Sequence, residues 1–78
     1  MDWDRLRIFY HVAKAGSFAG AAHNLNISQS TLSRSMQLLE YRLKTQLFNR
    51  VPKGVVLTKE GEILFHKVEL MHTSFEEA

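Results

Sequence analysis

The stretch that decides the fold is Gly16–Lys44, GSFAGAAHNLNISQSTLSRSMQLLEYRLK, because it holds two helical repeats joined by a short polar turn. In the first, Phe18, Ala21, Ala22 and Leu25 fall at i, i+3, i+4 and i+7, the spacing of one apolar helix face. Ser17 stands before it with an N-capping hydroxyl, and its alanines let a second helix backbone approach closely. In the second repeat Leu32, Met36, Leu39 and Leu43 mark a buried stripe, which predicts a helix from about Gln29 to Lys44. Between them, Asn26 tolerates a positive φ, Ile27 can plug the core between two helices, and Ser28 can cap the helix that follows.

The face opposite that stripe carries Gln29, Ser30, Ser33, Arg34 and Gln37, with no acid, where a merely solvated helix face usually mixes Glu with Lys. Two helices, a tight turn and a capped, polar, acid-free second helix match the helix-turn-helix pattern, whose second helix enters the DNA major groove amino end first. Gln pairs with adenine, Arg with guanine, and Ser or Thr with bases or phosphates. Free backbone N–H groups at a helix start also favour phosphate. The candidate DNA-binding residues of this helix are therefore Ser28, Gln29, Ser30, Thr31, Ser33 and Arg34.

Outward from this centre, Leu6, Phe9, Tyr10 and Ala13 repeat as a helix that begins near Asp2 or Asp4 and is ended by Gly16. Beyond Leu47 the period changes, and Pro52-Lys53-Gly54 between Phe48–Arg50 and Val55–Leu57 predicts a small β-hairpin with a basic tip. Arg50 and Lys53 would reach a neighbouring phosphate or minor groove. Thr58 resembles an N-cap, and Leu64, Val68, Met71 and Phe75 then mark a long fourth helix. Its first turns are expected to pack on the domain through Ile63 and Leu64. Leu64, Val68, Met71 and Phe75 can form either a seam within the chain or, the favoured reading, a subunit interface. The expected class is mainly α, a winged helix-turn-helix: a three-helix core with its hairpin wing over residues 1–58, and a linker or dimerisation helix over 59–78 in the same structural unit.

Composition agrees with one small domain. A chain of 78 residues buries a modest core and offers little room for a substrate cleft. The absence of cysteine excludes disulfide staples and thiolate chemistry, so a small fold of this kind leans on packed helices or a partner subunit. No apolar run approaches the ~18 residues of a membrane span, and the amino terminus is acidic, so a cytoplasmic protein without membrane association is expected. The net charge of +2 is unevenly distributed. From Gln29 to Lys59 six basic residues face Glu40 alone, while the rest of the chain has four basic and seven acidic residues, so the middle can present a positive face to a polyanion. The four histidines are scattered and the glycines form no phosphate loop, so neither a metal site, a cofactor site nor catalysis is expected. Trp3, Phe18, Phe48 and Phe65 read as core or interface residues.

Gly16-Ser17-Phe18, Ala21-Ala22, Ser28-Gln29-Ser30, Leu32-Ser33-Arg34, Leu39-Glu40, Leu47-Phe48, Arg50 and Leu57-Thr58 with Gly61, in this order and spacing, resemble the amino-terminal domain of LysR-type transcriptional regulators. The resemblance spans nearly the whole chain. It implies a bacterial regulator domain that binds double-stranded promoter DNA as a homodimer, with the last helix pairing subunits. It also implies that a small-molecule effector would act only through a further carboxy-terminal domain. Two departures stand out: Met36-Gln37-Leu38 where the family often has basic residues, and a wing, Val51-Pro52-Lys53-Gly54, with less arginine, so phosphate affinity is expected below the family norm. From the residues alone, a winged-helix module that binds protein instead of DNA is the alternative.

Overall fold

The computed structural model describes residues 3–77, with side chains described as far as His72. The chain folds as α1 (Trp3–Ala15), α2 (Phe18–Leu25), α3 (Gln29–Leu43), β1 (Phe48–Val51), β2 (Gly54–Leu57) and α4 (Lys59–Glu77). This is the predicted winged helix-turn-helix order.

The turns form where the side chains demand them. Gly16 ends α1 at φ 74°, and the Ser17 hydroxyl then accepts the Gly20 N–H at 3.0 Å to start α2. Asn26 takes the left-handed conformation at φ 58°, and the Ile27 N–H returns to the Ala22 carbonyl at 3.1 Å, closing the end of α2. Lys44 does the same for α3 at φ 55°, so it caps that helix and lies outside its last turn.

The core draws on every element. Phe9, Val12, Ala21, Leu32, Met36, Leu39 and Leu47 are almost fully excluded from water, with Phe18, Phe48, Val55 and Val68 around them. Phe48 anchors the wing by meeting Phe9 at 5.4 Å and Phe18 edge-on at 5.6 Å. The hairpin is antiparallel, with Phe48 opposite Leu57 and Arg50 opposite Val55. Its tip is tied to the α1–α2 turn by the Val55 N–H, which donates to the Gly16 carbonyl at 3.0 Å.

The fourth helix corrects the expected facing. Gly61 lies directly on the Leu47 carbonyl, where any β-carbon would collide with backbone, and this contact sets the rotation of α4 about its axis. Leu64, Phe65 and Val68 consequently turn inward, and the Phe65 ring stacks on Tyr10 at 5.5 Å. Ile63, expected to pack on the domain, is 52% exposed, and Leu70 and Met71 are exposed as well. The stripe read as a subunit interface is therefore split: Val68 is buried in the chain's own core, Leu64 is half-buried against it, and Met71 faces solvent. The side chain of Phe75 lies outside the described residues. Trp3, read as core or interface, is more than half exposed.

Candidate nucleic-acid interface

The amino end of α3 is built by one hydroxyl. Ser28 Oγ accepts the Thr31 N–H at 3.1 Å and donates to Thr31 Oγ1 at 2.7 Å, with Ser30 Oγ at 3.3 Å. This satisfies one of the N–H groups that a helix start leaves without an intrahelical partner, and it places three hydroxyls together at the positive end of the helix dipole. Gln29, Ser30, Thr31, Arg34 and Gln37 are exposed on α3, and Ser33 is half-buried. Six of the eight residues singled out for DNA binding, Ser28 to Arg34, thus share one end of one helix.

The one acid of this segment is engaged by the wing. The only carboxylate between Gln29 and Lys59, Glu40, is turned to the wing, where its Oε2 accepts the backbone N–H of Leu47 at 2.7 Å and of Phe48 at 3.2 Å. Gln46 adds to the same joint, its Nε2 donating to the Phe48 carbonyl at 2.9 Å, and the Thr58 hydroxyl donates to the Gln46 carbonyl at 2.7 Å. Arg34, Arg42 and Lys53 are exposed, and Glu40 lies at the α3–wing joint.

The two wing cations lie in different places. Lys53 is exposed in the two-residue turn at the tip, as expected. Arg50 shares a strand face with Phe48, because alternate residues of a strand point the same way, and its guanidinium lies over the Phe18 ring at 4.7 Å from the centroid. It lines a depression of about 340 Å³ between α3 and the wing together with Ser33, Gln37, Glu40 and Gln46. The fold thus joins Arg50 to the α3 surface.

Sequence reasoning left Phe18, Glu40 and Gln46 out of this surface; it placed Gln37 on the polar face of α3 without naming it for DNA binding. Gln37 follows Ser33 by one helical turn, which is the periodicity that put it there. Phe18 and Glu40 act through contacts to the wing made only in the folded chain, and no local signal marks them.

Among the described residues no cluster of His, Cys, Asp or Glu could hold a metal ion, and no helix is long and apolar enough to cross a membrane. A second depression, of about 310 Å³, lies between α1 and α4 and is lined by Trp3, Arg7, Tyr10, His11, Val68 and His72. Burial, followed by the charges of Arg7 and His72, lowers the pKa of His11 below its ordinary 6.5.

A model of the bacterial regulatory helix-turn-helix proteins of the lysR family matches residues 3–62. The chain is 38% identical, over all of its 78 residues, to the HTH-type transcriptional regulator GltR of Bacillus subtilis, of which it covers 26%. It is 45% identical over 65 residues to the regulator BudR of Raoultella terrigena, a match covering 83% of this chain and 22% of BudR. It spans about a quarter of the length of such relatives. Among solved structures, the BenM DNA-binding domain in complex with benA site 1 DNA superposes with a TM-score of 0.90 at 34% identity, covering 99% of this chain and 90% of that one. The CbnR DNA-binding domain in its DNA complex gives a TM-score of 0.84, also at 34% identity, with coverage of 99% and 93%.

Proposed function

The chain belongs to the lysR family of bacterial regulatory helix-turn-helix proteins, and from that premise we infer that it is a sequence-specific DNA-binding transcription factor domain. The observation that carries this is the amino end of α3: a Ser28 cap, exposed Gln29, Ser30, Thr31 and Arg34, and no acidic residue in its first three turns. A helix presented in this way fits the major groove, with Gln29 and Arg34 as base readers and the hydroxyls and free N–H groups on phosphate. Ser33 stands at the edge of the same surface. Lys53 at the wing tip serves the backbone or minor groove.

The chain acts by binding, as its relatives are named transcriptional regulators, and no reaction is assigned to it. Assembly as a homodimer through α4 completes the reading. Ile63 and Leu70 are seven residues apart and so lie on one helical face, with Met71 beside Leu70, and all three are exposed apolar side chains of the kind a subunit interface covers. This replaces Leu64 and Val68, which the chain uses for its own core.

The test is a fluorescence-anisotropy titration of the chain against duplex DNA at rising salt. Binding that weakens steeply with salt and differs between duplex sequences supports the reading. Absence of binding at low salt, with α4 capturing another protein instead, would replace it with the protein-interaction alternative.

A further inference from the structure

Phe18 is a core residue by burial, yet one face of its ring is committed to a cation. The ring is 8% exposed and stands edge-on to Phe48 at 5.6 Å, and Phe48 in turn packs on Phe9. It is thus held by an aromatic row that runs from α1 through the wing to α2. Over it lies the Arg50 guanidinium, 4.7 Å from the centroid. The negative face of an aromatic ring attracts a cation, and a stacked guanidinium keeps its N–H donors, which lie in its plane, available to acceptors at its edge. The nearby carboxylate, Glu40, already accepts from Leu47 and Phe48. Ser33 and Gln37 of α3 line the same depression as Arg50, with Glu40 at its edge held by those two N–H groups.

We propose that Phe18 is a positioning residue for DNA binding: lying beneath Arg50, its ring face holds the guanidinium on the α3 side of the wing, beside Ser33 and Gln37, to take a phosphodiester of the bound DNA. The inference rests on the DNA-binding reading above. An arginine in solution samples many rotamers, and ordering it on contact with DNA weakens binding. The ring removes part of that loss before DNA arrives. It also joins recognition helix and wing into one surface, leaving Lys53 as the separate, mobile-chain contact at the tip.

A double-mutant cycle on the full chain tests this, using mixed-sequence duplex DNA at low salt. Arg50→Ala is expected to weaken binding, and Arg50→Lys, which keeps the charge and loses the planar stack, to restore only part of it. Phe18→Leu is expected to weaken binding about twofold to fivefold. In an Arg50→Ala background Phe18→Leu should add nothing, because the group it positions is gone. An additive loss would assign Phe18 to the core alone, and full affinity in Arg50→Lys would show that charge suffices; either overturns the inference. Should Phe18→Leu fail to fold by circular dichroism, the wild-type chain decides by NMR. The Arg50 side-chain protons are expected upfield of their ordinary positions from the Phe18 ring current, and ordinary shifts would overturn the stack. Failure of the wild-type chain to bind DNA at all would instead remove the underlying reading, and this inference with it.

Discussion

The Glu40 carboxylate accepts the Leu47 backbone N–H at 2.7 Å, fastening the start of the wing to the last turns of α3. The same oxygen, Oε2, also accepts the Phe48 N–H at 3.2 Å, so one carboxylate oxygen takes two successive wing N–H groups. One side chain thus ties recognition helix to hairpin, and its carboxylate, which lines the depression beside Arg50, is engaged by two backbone N–H groups of the wing.

Replacing Glu40 with Ala should therefore lower stability by about 1.5 to 3 kcal/mol, the range for hydrogen bonds to a charged group. Urea unfolding measures it. Glu40→Gln keeps one carbonyl acceptor and is expected to lose less. A Glu40→Ala chain as stable as the wild type would mean that the wing is held by Phe48 packing alone.

Base reading and backbone contact separate at Arg34 and Lys53. Arg34→Ala is expected to cost about 1 to 3 kcal/mol on the preferred duplex and to relax discrimination at one base pair. Lys53→Ala should weaken all duplexes alike and reduce the salt dependence. Competition titrations with a panel of single-base-pair variants measure both. Unchanged discrimination in Arg34→Ala would remove its base-reading role.

The two faces of α4 should respond to different measurements. Val68→Ala opens a cavity in the core and is expected to lower stability by about 1 to 3 kcal/mol. Leu70→Lys lies on the exposed face, so it should leave unfolding of the single chain nearly unchanged and shift sedimentation towards monomer. A dimer that survives Leu70→Lys and Ile63→Lys together would place the subunit contact elsewhere.

Acid should loosen the α1–α4 groove. The folded-state pKa of His11 lies below its unfolded value of 6.5, through burial and then through Arg7 and His72. As pH falls through the unfolded pKa, the unfolded chain takes up the proton first, so stability declines below about pH 6.5 and the loss ends once the folded-state pKa is passed. His11→Gln should flatten that part of the profile of unfolding free energy against pH. An identical slope in the variant would assign the pH dependence to other groups.

Much of this architecture is legible in the sequence because it rests on local rules. Ser17 and Ser28 cap the helices they precede, Asn26 takes the positive φ between them, and Pro52-Lys53 turns the hairpin. The face of α4 is not legible in the same way. Ile63, Leu64, Phe65, Val68, Leu70 and Met71 place apolar residues around the helix, so periodicity allows more than one rotation. The backbone contact of Gly61 with Leu47, which selects one of them, is tertiary. Arg50 is likewise found by composition, but its contact is tertiary: strand alternation puts exposed Arg50 on the Phe48 side of the hairpin, with its guanidinium over the Phe18 ring.

The most direct measurement is a salt-titrated selection of the chain on a pool of random duplex DNA, with the bound sequences read out. We expect enrichment of a motif with two half-sites and, if each subunit neutralises about three phosphates, a log–log salt slope of about −5. Salt-sensitive binding without enrichment would leave only backbone affinity and contradict base reading by Gln29 and Arg34. No binding at low salt would contradict the DNA-binding function itself.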